Sequence, residues 1–136
     1  MVLDASVALA WIFERSNKKE ATCADRVLQK MEMMETIVPV LWHIEVSNAL
    51  LVGERRRVIT EAQTIDYLAR LSDLPLITET AVSPTVRHQI LSLGREYGLT
   101  AYDATYMELA LRTQSTLATF DAKLAGALQK AGGVVF

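Results

Sequence analysis

The chain has 136 residues, 51% hydrophobic and 22% charged. That fits a single domain over residues 1–136 and excludes a disordered chain, a collagen-like repeat and a disulfide scaffold. A net charge of −2 argues against gripping nucleic acid by bulk charge, so such a substrate would need local basic patches or bound metal ions to offset the repulsion.

In chain order, short apolar runs alternate with longer amphipathic stretches. Residues 2–3, 36–38, 76–78, 116–120 and 134–136 read as strands, each short and apolar on both sides, as in a strand covered on both faces. Helices are expected over 6–14, 18–35, 40–55, 60–71, 83–97, 100–112 and 121–130. Pro39 suits a helix entry, Thr60 with Gln63 a capping box, and Pro84 with Gly98 the two ends of one helix. The alternation predicts an α/β fold. Its central sheet would be mostly parallel, with about five short strands and helices on both faces. Sites in such sheets gather beyond the carboxyl ends of the strands, where the strand order reverses.

The single cysteine, Cys23, rules out an internal disulfide and suits a reducing compartment. No apolar run approaches the roughly 18 residues of a membrane span. The Met1-Val2-Leu3-Asp4 start lacks the pattern of a signal peptide, so a cytoplasmic protein is expected.

Of the sixteen acidic residues, most sit beside Lys or Arg on polar helix faces, but four do not. Asp4 follows the first strand, in Leu3-Asp4-Ala5-Ser6, either as a helix N-cap or as a carboxylate at the edge of the sheet. Glu45 lies in an apolar helical stretch with no Lys or Arg at positions 41, 42, 48 or 49. It is either exposed at the margin of that stripe or buried at a cost that a cation or hydrogen bonds must offset. Asp103 has capping-box spacing from Thr100 and opens a helix that is apolar almost all round. Asp121 follows the fourth strand, again as an N-cap or as a sheet-edge acid. Four carboxylates converging in one crevice repel one another, and a divalent cation relieves that repulsion. Hard oxygen ligands without His or Cys favour Mg²⁺ or Mn²⁺. His43 and His88 read as ordinary helix residues.

The segments around these acids resemble the PIN-domain family, specifically the VapC-type ribonuclease toxins of toxin–antitoxin systems. The resemblance rests on Val2-Leu3-Asp4-Ala5-Ser6, His43-Ile44-Glu45-Val46-Ser47-Asn48-Ala49-Leu50, Leu99-Thr100-Ala101-Tyr102-Asp103-Ala104-Thr105-Tyr106 and Leu117-Ala118-Thr119-Phe120-Asp121-Ala122-Lys123-Leu124, in that order over nearly the whole chain. It implies a PIN-like three-layer fold and a Mg²⁺- or Mn²⁺-dependent endoribonuclease. Asp4, Glu45, Asp103 and Asp121 would be its catalytic, metal-binding quartet, with Ser6 and Thr119 as polar support. It also implies a homodimer, a cognate antitoxin and an RNA substrate, mainly tRNA or ribosomal RNA.

Arg55-Arg56-Arg57 is the basic run, read either as a solvated helix end or as a contact to RNA or a partner. Arg15 is a further candidate guide for RNA. Trp11, Trp42 and Tyr102 are candidates for base stacking or core packing, and Trp11 and Phe13 for a partner interface. Two rivals belong to other classes: a catalytically idle binding module on the same scaffold, and a receiver-like phosphoacceptor domain. The receiver reading needs adjacent acids after the first strand, where this chain has Asp4 alone. It also needs an acceptor Asp after a central strand, where Thr78-Glu79-Thr80 supplies none.

Overall fold

A computed structural model describes residues 1–13, 17–80 and 82–136. The elements in order are β1 (Val2–Leu3), α1 (Ala5–Leu9), α2 (Lys18–Met31), β2 (Thr36–Pro39), α3 (Val40–Arg55) and α4 (Glu61–Ser72). They are followed by β3 (Leu76–Glu79), α5 (Pro84–Tyr97), α6 (Ala101–Arg112), β4 (Leu117–Ala118) and α7 (Ala122–Lys130).

The sheet runs β3-β2-β1-β4, and every pairing is parallel. The chain steps outward from β1 to β2 and β3, then returns to the other side of β1 with β4. The reversal expected from the alternation therefore falls between β1 and β4, which pair at Val2↔Leu117 and Leu3↔Ala118. Val2, Leu3 and Leu117 have no exposed surface and Ala118 almost none, as the unbroken apolar reading of these strands requires.

The helices begin where local chemistry satisfies their free N–H groups. Asn17 caps α2, Ser83 caps α5 ahead of Pro84, and Thr60 with Gln63 forms the expected capping box on α4. Gly98 closes α5 at φ 63°, a left-handed conformation that glycine adopts without a Cβ clash. Helix α6 is buried over Ala104 and 106–110, and packs against α5, α7, β1, β2 and β4. Burying each large side chain of that stretch contributes about 1.5–3 kcal/mol.

Several boundaries differ from expectation, for identifiable reasons. Residues 134–136 form a single bridge, Leu117↔Val135, rather than a fifth strand, because β4 is only two residues long and offers one pairing position. Thr119 and Phe120 leave the strand because they bond to Ser6 and Asp4 instead. The first helix ends at Leu9, not at 14; Ala10, Trp11 and Ile12 bond three residues back, which tightens the chain into turns. Glu14 lies outside the described residues. Helix α2 stops at Met31, the last buried position of its apolar stripe; Met33 beyond it is 83% exposed. Among the described residues no helix is long and apolar enough to cross a membrane.

Candidate active site

The carboxyl ends of β1 and β4 lie side by side, and Asp4 sits between them, 8% exposed. Although Asp4 occupies the N-cap position of α1, its side chain makes no capping bond. Oδ2 instead accepts two hydroxyls, Ser6 Oγ at 2.6 Å and Thr119 Oγ1 at 2.6 Å. Both donors are themselves held: Ser6 Oγ accepts the Phe120 N–H at 3.0 Å, and Thr119 Oγ1 accepts the Asp121 N–H at 3.0 Å. This closed network joins the two strand ends and fixes the direction of the Asp4 carboxylate.

Glu45 reaches the same crevice from α3. It is half-buried, and Oε2 accepts the hydroxyl of Tyr106 on α6. Burial pushes the Glu45 pKa above the ordinary carboxylate range, and the negative charges of Asp4 and Asp103 push it the same way, against the Tyr106 hydrogen bond. Glu45 therefore feels both Asp4 and Asp103. Tyr106, 1% exposed, has its own pKa raised by burial first, then by its bond to Glu45 and the charges of Glu45 and Asp4. Among the described residues, no Lys or Arg forms an ion pair with Asp4, Glu45, Asp103 or Asp121.

Asp103 stands in the first turn of α6. Thr100 Oγ1 accepts its N–H at 3.1 Å and donates to its Oδ2 at 2.7 Å, so it also fulfils the capping role. Asp121 caps α7 through Oδ1, which accepts the Leu124 N–H at 2.8 Å. It connects to Asp4 through Thr119 but does not contribute to the Glu45 shift. Lys123 Nζ donates to the Gly98 carbonyl and so ties α7 to the turn before α6. In each of the four acids one oxygen is engaged and the other accepts no hydrogen bond among the described residues.

The four do not close on one point. Among the described residues no three Asp, Glu, His or Cys side chains are gathered tightly enough to hold a metal ion. Like charges hold such a group apart. The donor set is nonetheless all oxygen, with Asp4, Glu45 and Asp103 oriented by hydroxyls and no cation paired to them among the described residues, which suits a hard divalent ion.

A family model described as the PIN domain matches residues 1–127. The chain belongs to this family. Ribonuclease VapC3 of Pyrobaculum aerophilum is 28% identical over 125 residues, covering 92% of each chain. Three solved structures share the PIN fold with this chain. A crystal structure of PAE2754 from Pyrobaculum aerophilum superposes with a TM-score of 0.68 at 19% identity, covering 98% of this chain and 86% of that one. FitAcB from Neisseria gonorrhoeae gives 0.66 at 17%, over 99% and 95%. A toxin–antitoxin complex from Klebsiella pneumoniae gives 0.60 at 18%, over 92% and 90%.

Other sequence candidates fall outside this PIN-domain crevice. Arg55, Arg56 and Arg57 are exposed at the far end of α3, with Arg57 at φ 56°. The helical rise puts Arg55 about 15 Å along the axis from Glu45. Arg15 lies outside the described residues. His43 Nε2 pairs with Thr78 Oγ1 at 2.9 Å and His88 Nδ1 with the Pro84 carbonyl at 2.9 Å, as ordinary helix residues do. The Trp11 indole donates to the Ala24 carbonyl at 3.1 Å, and Trp42 is buried in the core. Tyr102, 62% exposed beside Asp103, is the aromatic candidate open to solvent. The receiver reading loses its central strand too: β3, which ends at Glu79, lies at the edge of the β3-β2-β1-β4 sheet. Sequence reasoning passed over Tyr106 as part of an apolar helix. Its signal was its position one turn after Asp103, on the same helix face.

Proposed function

We propose that this PIN domain is a Mg²⁺- or Mn²⁺-dependent endoribonuclease, and that it acts as the toxin of a toxin–antitoxin pair. One observation carries the reading: Asp4 just after β1, Glu45 on α3 and Asp103 on α6 are each held by a hydroxyl through one oxygen, with no basic side chain paired to them among the described residues. Asp4, Glu45, Asp103 and Asp121 would hold the cation. When bound, a divalent ion supplies Lewis acidity, lowering the pKa of water and neutralising charge on a phosphodiester.

The protein's own groups divide the remaining work. Asp4 is the fixed point, because two hydroxyls leave its second oxygen pointing one way. Ser6 and Thr119 act as supports: each donates to Asp4 while its oxygen is held by a backbone N–H, of Phe120 and Asp121. Water would be the nucleophile: its oxygen bonds to phosphorus as the P–O3′ bond breaks, leaving a 5′-phosphate and a 3′-hydroxyl, and no histidine is needed as base. Tyr102 offers an exposed ring on which an unpaired base can stack. The homodimer, the tRNA or ribosomal RNA substrate and the cytoplasmic setting follow the sequence resemblance, the antitoxin partner also the toxin–antitoxin complex among the structural relatives, and all belong to the same proposal.

The test is cleavage of total cellular RNA with end mapping, comparing the wild-type chain with Asp4→Asn and Asp103→Asn in Mg²⁺, Mn²⁺ and EDTA. Discrete cuts with 5′-phosphate ends, absent in EDTA and in both variants, are expected. Cuts that survive in the variants, or an intact RNA pool with folded wild-type protein, would favour the idle binding module.

A further inference from the structure

Tyr106 is as deeply buried as the core, yet its hydroxyl meets a carboxylate of the site as well as the Ala5 backbone. A buried tyrosine must give its O–H a partner. Tyr67, 6% exposed, spends its hydroxyl on the Ala8 carbonyl at 2.7 Å, which simply ties α4 to α1. Tyr106, 1% exposed, donates instead to Oε2 of Glu45, a carboxylate in the crevice. A phenylalanine would fill the same space without that demand.

The bond has a directional consequence. It spans from α6 to α3, across the crevice that holds Asp4, and takes up one oxygen of Glu45. The Glu45 side chain has three rotatable bonds, so without this anchor its carboxylate samples several rotamers. With it, Oε1 is the oxygen left free, as one oxygen is left free on Asp4, Asp103 and Asp121. Asp4 needs two hydroxyls for the same purpose; Glu45 has one, supplied by the helix that carries Asp103.

We propose that Tyr106 is a positioning residue that fixes the Glu45 carboxylate so that Oε1 is available to a divalent cation bound beside Asp4. The proposal rests on reading the acids as a cation site. Groups that orient metal ligands in this way typically cost 10–100-fold in metal affinity when removed.

The test is a Mn²⁺ titration, followed by electron paramagnetic resonance, of wild type, Tyr106→Phe, Glu45→Gln and the double variant, with each fold checked by near-UV circular dichroism. Tyr106→Phe should weaken binding roughly 10–100-fold. In the Glu45→Gln background the same change should add no more than about twofold, because the tyrosine acts through that carboxylate. Wild-type affinity in Tyr106→Phe would overturn the proposal while leaving the cation site standing. So would an equal loss in both backgrounds, which would mark a general structural effect. Should Tyr106→Phe not fold, Glu45→Asp retains the charge but withdraws it from Tyr106 by one methylene. A comparable loss supports the proposal, and unchanged affinity overturns it. Absence of Mn²⁺ binding by the wild-type chain would remove the cation site and the proposal together.

Discussion

Replacing Thr119 with valine isolates the hydroxyl that joins β4 to the Asp4 carboxylate. The two side chains have nearly the same shape, so the change opens no cavity, and the lost interaction dominates. Thr119 Oγ1 donates to Asp4 Oδ2 at 2.6 Å, a short bond to a carboxylate that is 8% exposed. Hydrogen bonds to charged groups contribute about 1.5–3 kcal/mol. The Asp121 N–H also loses its acceptor, but Asp121 is exposed and water replaces it at little cost. For a chain of 136 residues the unfolding entropy is about 0.29 kcal/mol/K, so the melting temperature should fall by about 5–10 °C. Urea unfolding in EDTA, followed by the fluorescence of Trp11 and Trp42, should show a lower midpoint with an unchanged slope. A loss below about 0.5 kcal/mol, the range of an ordinary surface substitution, would refute the reasoning that the hydroxyl network holds Asp4 in place.

Glu45 makes stability depend on pH in a defined direction. Burial and the charges of Asp4 and Asp103 raise its folded pKa, so the folded chain keeps this proton to higher pH than the unfolded chain. Its contribution is greatest below the unfolded carboxylate pKa of about 4.3 and is lost as pH rises from there through the raised folded value. In EDTA, Glu45→Gln should therefore gain on wild type across that window and hold the gain above it; a difference that stays flat with pH would contradict this. At the other end of α6, Glu108 is 4% exposed and bonds to Arg112 Nε at 2.8 Å. Arg112→Met should cost about 1–3 kcal/mol by stranding that carboxylate, and adding Glu108→Gln should restore much of it. If chemical denaturation finds the single variant as stable as wild type, Glu108 has another source of compensation.

The parallel sheet and its crevice were legible because β1 and β4 are apolar throughout, with Asp4 directly after β1 and Asp121 three residues beyond β4. Side-chain choice was less legible. Asp4 and Asp121 occupy the same kind of junction, yet Asp121 caps its helix while Asp4 turns to two hydroxyls. The difference lies in Thr119, which is 115 residues from Asp4 and meets it only through strand pairing. Tyr106 was hidden for a related reason: nothing local distinguishes a tyrosine bonded to a distant carboxylate from one bonded to a carbonyl, as Tyr67 is. Strand and helix ends shifted where a tertiary hydrogen bond outcompeted the local pattern, as at Thr119 and Phe120.

The central claim is that one divalent cation site is built from these acids. Anomalous diffraction from crystals grown with Mn²⁺ tests it most directly. A peak coordinated by Asp4 together with Glu45 or Asp103, at about 2.0–2.3 Å from their free oxygens, is the predicted result. Well-ordered crystals with millimolar Mn²⁺ and no peak in that crevice, or a peak only at surface carboxylates elsewhere, would contradict it.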